Sequence, residues 1–330
     1  MSREISPNTK THKWKFFGRF LKCLIIAVVV VAALIGAIFY FNIYLPEGKG
    51  PAGPNVPGEP FKKIWSERKV LLLGIGDSIT DGFGAKPGFS YFERLVRNPI
   101  GDSEDMLGKN LSVIFPKLET KNVSGSGSNS LFHLRQIQAL EQQDPNVLGI
   151  VVITTGGNDL IHNYGRKPPK EGAMYGATLT QASPWINNFQ KRLDEMIAGI
   201  NRVFPGGCHI FLANIYDPSD GTGNTGQWYT GLPAWPDGLA ILDCYNQIIR
   251  QCAEKYDNVY MVNIYTPFLG HGIHCRKFWL KNYHWSDASY WYHINIEDPS
   301  DRGYDAIRRV FLIEMAKAFV DSNALQQQKI

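Results

Sequence analysis

Short apolar runs alternate with longer amphipathic segments along most of this 330-residue chain. Apolar runs without polar alternation are typical of strands buried on both faces of a parallel sheet. Together with the amphipathic segments they predict a parallel sheet, right-handed crossovers and helices on both faces. The predicted strands are 70–75, 111–115, 147–154, 209–213 and 259–264, and the predicted helices are 91–97, 130–143, 185–204, 239–256 and 304–319.

Three of the runs are followed by loops of small and polar residues. Residues 76–78 read Gly-Asp-Ser, 122–127 read Asn-Val-Ser-Gly-Ser-Gly, and 155–159 read Thr-Gly-Gly-Asn-Asp. Ligands of open α/β sheets bind beyond the carboxyl ends of the strands, so Ser78 is expected at the mouth of a site. The first tripeptide alone is equally compatible with an ordinary turn. Taken in order, the three loops resemble blocks I, II and III of the SGNH (GDSL-like) hydrolases.

This resemblance extends from about residue 70 to the C-terminus. It implies one α/β domain with the three-layer α/β/α, flavodoxin-like fold and a five-stranded parallel sheet. It also implies a serine ester hydrolase that needs no cofactor.

The resemblance assigns Ser78 as the nucleophile and its backbone N–H as the first oxyanion donor. Gly127 would be the second donor, and the side-chain amide of Asn158 the third. Such donors are needed because attack by a serine hydroxyl on an ester develops negative charge on the carbonyl oxygen. Alternatively, Gly127 only permits a turn, with Gly125 as the fallback donor, and Asn158 only caps a helix. Asp77 is expected to orient the turn.

The residues that should activate the serine depart from the family pattern. That pattern has an Asp-x-x-His before a Gly-Tyr, but alignment on Gly303 and Tyr304 places Asn295 and Asp298 at the two positions.

Three explanations are open. A histidine from another loop could reach Ser78, with Asp298 orienting its other nitrogen, since geometry rather than sequence position defines a triad. Asp298 could instead be a weak base acting on Ser78 directly, or the site has lost catalysis and kept binding.

A separate alternative is that Glu297 and Asp298 are solvent-exposed charges at a helix N-terminus. The candidate histidines, in order of preference, are His271, His274, His293 and His284.

Two aromatic-rich stretches, 228–235 and 278–292, are expected to border the site or to pack long loops. A zinc site at His271, His274 and Cys275 is a weak alternative, because no second ligand pair accompanies this cluster. The spacing of the five cysteines dictates no disulfide pairing.

Residues 23–41 form an uncharged apolar stretch long enough to cross a bilayer. Six basic residues and one acidic residue precede it, which predicts a cytoplasmic N-terminus and an extracytoplasmic domain, periplasmic or at the cell surface. A cleaved signal peptide is the alternative, but bulky residues follow the stretch where small ones would be expected. The predicted divisions are a tail (1–22), a signal anchor (23–43), a Pro/Gly-rich linker (44–62) and the α/β domain (63–330).

The net charge of +4 owes much to the basic tail, so nothing favours nucleic acid as a partner. The sequence thus predicts a membrane-anchored serine esterase acting on glycan acetyl, lipid or small acyl esters. A catalytically silent glycan- or lipid-binding module and an acyltransferase are the alternatives.

Overall fold

The computed structural model describes the backbone of residues 8–327 and the side chains of residues 17–319. The chain divides into two compact units, Met1–Leu45 and Pro46–Ile330. Most of the first unit is one helix, α1 (Asn8–Asn42). Its stretch Phe17–Asn42 is long and apolar enough to cross a membrane.

The second unit is built on a five-stranded parallel sheet, which confirms the predicted fold. The strand order is β2-β1-β3-β4-β5, and every neighbouring pair is parallel. The order reverses between β1 and β3, the position where ligands bind in this architecture. The strands are β1 (Lys69–Ile75), β2 (Leu118–Asn122), β3 (Val147–Ile153), β4 (Cys208–Ala213) and β5 (Val259–Val262).

Helices cover both faces of this sheet. Helices α5, α7 and α9 pack together over one hydrophobic core, and α3 and α11 pack together outside that core. The helices are α2 (Ser78–Asp81), α3 (Tyr91–Val96), α4 (Leu111–Ile114), α5 (Ser130–Gln138), α6 (Gly157–Ile161), α7 (Leu179–Val203), α8 (Gln227–Thr230), α9 (Gly238–Lys255), α10 (Tyr265–Phe268) and α11 (Asp301–Gln327). Short 3₁₀ turns lie at Glu59–Lys62, Glu104–Met106 and His162–Gly165.

The prediction of a strand at 111–115 is wrong. These residues form the short helix α4, in which Leu111 and Ile114 are buried at helical spacing. The second strand follows as β2, whose residues are mostly exposed. It lies at the edge of the sheet, so it carries polar side chains and lacks the apolar run of a buried strand.

The Pro/Gly-rich segment predicted as a linker lies against the α/β domain. Ala52 and Val56 are buried, and the N–H of Ala52 donates to Asp305 in α11 at 3.3 Å. The Arg302 guanidinium, also in α11, donates to the carbonyl of Pro51 at 3.0 Å. The exact domain boundaries stay predictions, but α11 clearly holds this segment in place.

Candidate active site

Ser78 lies beyond the carboxyl end of β1, where the chain turns into the short helix α2. Gly76 permits this turn, because its φ of 151° favours glycine and a Cβ there would collide with Thr154. Asp77 caps the helix by accepting a hydrogen bond from the N–H of Ile79 at 3.1 Å. Ser78 is therefore the first residue of α2, and it lines a cleft.

A chain of buried side chains holds Asp77 in place. The Thr154 hydroxyl donates to Asp77 Oδ1 at 2.8 Å, and hydrogen bonds of 2.8 and 2.6 Å continue the chain to Thr80 and Tyr91. Burial raises the pKa of Asp77 to about 7 against the hydrogen bond from Thr154, and the charge of Asp298 adds to the rise. The geometry fits the predicted orienting role of Asp77.

The second loop is tied to its neighbours through Ser128 and His133. Ser128 Oγ donates to the carbonyl of Gly76 at 2.9 Å and lies 2.8 Å from His133 Nε2. The other ring nitrogen of His133 lies 2.8 Å from the Thr155 hydroxyl. Burial lowers the pKa of His133 to about 3, which keeps the ring neutral. Sequence reasoning missed this link, although His133 lies four residues before Ile137 on the buried side of α5.

Gly127 lies in this loop, with an exposed backbone and a φ of 76°. It does not line the cleft that contains Ser78. His162 contacts its backbone. The N–H of the fallback donor Gly125 already donates to the Gly76 carbonyl at 3.0 Å. The oxyanion role of Gly127 therefore stays a prediction, and Gly125 is the poorer candidate.

Asn158 lines the same cleft as Ser78. Its amide donates one hydrogen bond to the Ser128 carbonyl at 2.8 Å. That bond fixes the amide and leaves its second N–H able to donate elsewhere. The alternative that Asn158 caps α6 is wrong, because Gly156 occupies the cap position. Its role as an oxyanion donor stays a prediction.

Asp298 lies beside Ser78 in the cleft and is held by Asn295. The Asn295 amide donates to Asp298 Oδ2 at 2.6 Å, and the N–H of Asp298 donates back to Asn295 Oδ1 at 3.2 Å. Burial raises the pKa of Asp298, whereas the nearby Ser78 hydroxyl and the Asn295 amide lower it. Asp298 Oδ1 has no well-aligned hydrogen bond within the described residues, so the Ser78 contact is a loose one. The Ser78 hydroxyl, the Asp298 carboxyl and the Asn295 amide are thus arranged like the nucleophile, the base and the orienting group of a triad.

The segment that carries Asp298 is strained and tightly held. Ile296 has a φ of 62°, which β-branched residues rarely adopt. Tyr216 donates to the carbonyl of Glu297 and Tyr164 to its carboxylate, both at 2.5 Å. The alternative that Glu297 and Asp298 are solvent-exposed charges is wrong, because both line the cleft and burial raises the pKa of each.

The structure does not bring His271 or His274 to Ser78, and neither lines the cleft. His271 stacks on Trp291 with ring centroids 3.5 Å apart. His274 Nε2 lies 3.0 Å from the Asn224 carbonyl. Burial lowers the pKa of both histidines to about 4. Their expected role as the base is therefore corrected to a structural one.

The Asp220 carboxylate binds the backbone of the loop that carries His271 and His274. It accepts hydrogen bonds from the N–H groups of Gly270, Gly272 and His274 at 2.8, 2.7 and 2.9 Å. Burial nevertheless raises the pKa of Asp220 to about 7. The glycines that flank His271 serve close backbone packing around this carboxylate, and they do not shape a catalytic loop.

The two remaining candidate histidines also have other contacts. The N–H of His293 donates to the Asp298 carbonyl at 2.7 Å, and the charge of His293 lowers the pKa of Asp298. His293 does not line the cleft, and its ring packs edge-on against Phe83. His284 Nε2 lies 2.8 Å from the Leu269 carbonyl.

The cleft beside Ser78 has a volume of about 130 Å³. Of the two aromatic-rich stretches, 228–235 contributes Trp235, whereas 278–292 contributes nothing to this cleft. The expectation that the second stretch borders the site is therefore wrong. Apolar side chains form much of the cleft wall, namely Leu160, Ile161, Ile215, Trp235, Leu239 and Leu242.

All five cysteines lie in the described part of the chain and are free thiols. Within the same part, no cluster of three or more His, Cys, Asp or Glu side chains has the geometry to hold a metal ion.

The model of the GDSL-like lipase/acylhydrolase family matches residues 75–292. No curated protein sequence matches the chain. Three similar solved structures are a lipolytic protein of the G-D-S-L family from Veillonella parvula (13% identity, 77% of this chain and 98% of that one, TM-score 0.43), an acetylxylan esterase from Geobacillus stearothermophilus (19%, 76% and 95%, 0.46), and a phospholipase A1 from Streptomyces albidoflavus (18%, 75% and 100%, 0.42).

Proposed function

The chain belongs to the GDSL-like lipase/acylhydrolase family, and on that premise we propose that it is a membrane-anchored, extracytoplasmic serine esterase. It hydrolyses O-acyl esters through an acyl-Ser78 intermediate. The observation that supports this proposal most strongly is the placement of Ser78 beside the Asp298–Asn295 pair, in a cleft that also contains Asn158.

Asp298 acts as the general base. It accepts the Ser78 proton as the hydroxyl oxygen attacks the ester carbonyl, and it then returns that proton to the departing alcohol oxygen. Burial strengthens this base by raising its pKa, because a carboxylate with an ordinary pKa is too acidic for the task. The Asn295 amide holds the carboxyl group in place, as an aspartate holds histidine in the usual triad.

The negative charge on the carbonyl oxygen is stabilised by the Ser78 N–H and by the second N–H of Asn158. Asn158 is suited to this because its first N–H is fixed on Ser128. Gly127 contributes a third donor once substrate lies across its exposed loop. A water molecule, deprotonated by Asp298, then hydrolyses the acyl-enzyme and regenerates the serine.

The apolar wall of the cleft favours an aliphatic acyl group over acetate. Each methylene transferred from water to such a wall contributes about 0.8 kcal/mol. In this proposal α1, which is long and apolar enough to cross a membrane, anchors the domain. The basic residues before it support a cytoplasmic N-terminus. Lipid esters and short-chain acyl esters therefore fit this site better than acetylated glycans.

A catalytically silent binding module is the second candidate function. The observation that favours it is that no histidine among the described side chains, residues 17–319, lines the cleft beside Ser78. Alignment on Gly303 and Tyr304 puts Asp298 where the family pattern has histidine. Such a protein would hold a lipid or acylated glycan in the same apolar cleft.

Hydrolysis of p-nitrophenyl acetate and butyrate by the full chain in detergent tests both candidates. We expect faster turnover of butyrate and complete loss in Ser78→Ala. Asp298→Asn should lower kcat by about 10²–10⁴. Asp301→Asn is the matched control, because Asp301 binds Lys86 at the protein surface. Turnover that is absent, or unaffected by Ser78→Ala, would favour the binding module.

A further inference from the structure

Residues 276–285 form an exposed loop rich in aromatic side chains, here called the aromatic loop. It contains three basic residues, four aromatic residues and no acidic one. Phe278, Trp279 and Trp285 are 51%, 56% and 79% exposed. Ring centroids lie 5.0 Å apart for Phe278 and Trp279, 6.3 Å for Phe278 and Trp285, and 5.0 Å for Tyr283 and Trp285. The rings thus form one exposed cluster, of the kind that marks an interaction site.

The base of the aromatic loop is fixed to the domain. The Asn282 amide donates to the Asp220 carbonyl at 2.9 Å. His284 stacks on His271 with ring centroids 4.5 Å apart. The exposed rings therefore stand on a rigid support, and their exposure does not arise from a loosely attached segment.

The chain enters the domain close to this loop. The N–H of Tyr290, five residues after Trp285, donates to the Pro46 carbonyl at 2.7 Å. Arg302 pairs with Asp287 at 2.9 Å and thereby holds the same segment. Three residues separate Pro46 from Asn42, the end of α1, so these two lie at most about 14 Å apart whatever the direction of α1. The aromatic loop is therefore tied, through Tyr290 and Pro46, to the point at which the chain enters the domain from α1.

We propose that the aromatic loop docks on the bilayer that α1 spans. Trp279, Trp285 and Phe278 enter the headgroup region, the level that aromatic side chains prefer in membranes. Lys277 and Lys281 face the lipid phosphates, since basic residues near a bilayer are attracted to anionic lipids. Docking holds the domain at a fixed orientation on the leaflet. This inference rests on the proposed anchoring by α1, but it does not depend on ester hydrolysis.

The test uses the full chain with a protease site inserted between Tyr44 and Leu45. The protein is reconstituted into vesicles of phosphatidylcholine containing a quarter of phosphatidylglycerol, and cleavage is followed by sedimentation. We expect most of the cleaved domain to remain with the vesicles. Release of the wild-type domain into the supernatant, or its sedimentation without vesicles through self-association, would overturn the proposal.

One variant and one control sharpen the result. The triple change Phe278→Ser, Trp279→Ser and Trp285→Ser should weaken partitioning at least tenfold, or about 1.4 kcal/mol. The pair Ile100→Ser and Leu107→Ser, at sites 100% and 60% exposed, should leave partitioning unchanged. Equal partitioning of the triple variant and wild type would also refute docking.

Esterase activity separates this inference from the proposed function. The triple variant should keep the wild-type rate on p-nitrophenyl butyrate in detergent, which also shows that it is folded. If no variant turns over the ester, circular dichroism takes over as the folding control. That result would contradict the esterase proposal, and the sedimentation data would still decide whether the aromatic loop docks.

Discussion

Replacing Asp77 with asparagine should make the stability of the domain less sensitive to pH between pH 5 and pH 8. The side chain is fully buried, and its Oδ1 accepts hydrogen bonds from Thr154 and from the N–H of Ile79. An asparagine oxygen can accept both bonds. Because burial raises the folded-state pKa from 3.8 to about 7, the wild type is most stable with Asp77 protonated and loses stability as pH rises through this range.

The two pKa values give the size of this effect. Ionisation of Asp77 costs the folded state about 4 kcal/mol in full, of which about 3 kcal/mol develops between pH 5 and pH 8. Urea unfolding of wild type and Asp77→Asn in the same detergent, followed by tryptophan fluorescence, measures the difference at each pH. We expect the free energy of unfolding of Asp77→Asn, measured relative to that of wild type, to increase by about 3 kcal/mol from pH 5 to pH 8. A difference that does not change with pH would refute the reasoning.

Four further predictions concern the cleft and its strained segment. Asn158→Ala should lower kcat by about 10²–10³ with little change in KM, and a selective rise in KM would argue against an oxyanion role. In wild type, kcat/KM should increase as pH rises through the raised pKa of Asp298. In the double variant Asp298→His/Asn295→Asp, the apparent pKa of this increase should move towards about 6.5, the ordinary value for histidine. Leu242→Trp should slow butyrate turnover more than acetate turnover, and equal slowing would show that acyl groups bind elsewhere. Ile296→Gly should raise the free energy of unfolding, measured by urea titration, by about 1 kcal/mol, because glycine adopts the φ of 62° without strain. An unchanged or lower free energy of unfolding would show that Ile296 is not strained.

Sequence patterns predicted the parts of the site that depend on strand ends. Ser78 and Asn158 follow buried strands, and neighbouring strands of a parallel sheet bring their carboxyl ends together. Alignment on Gly303 and Tyr304 also located Asn295 and Asp298, and the structure joins these two residues by a hydrogen bond. What the sequence could not show was the burial of Asp298, which depends on distant packing.

The errors have equally physical reasons. Strand β2 was missed because an edge strand needs no apolar run, while the apolar residues of α4 suggested a strand. His271 was preferred because glycines flank it, yet those glycines approach Asp220, which is about 50 residues away in sequence. A contact at that separation leaves no local signal.

The most direct test of the account is the detection of acyl-Ser78. The enzyme is mixed with p-nitrophenyl butyrate, quenched in acid at successive times and digested, and the Ser78 peptide is examined by mass spectrometry. We predict a butyryl group on Ser78 in wild type, none in Ser78→Ala, and formation slowed by about 10²–10⁴ in Asp298→Asn. An unmodified Ser78 during turnover, or acylation that proceeds at the same rate without the Asp298 carboxylate, would contradict it.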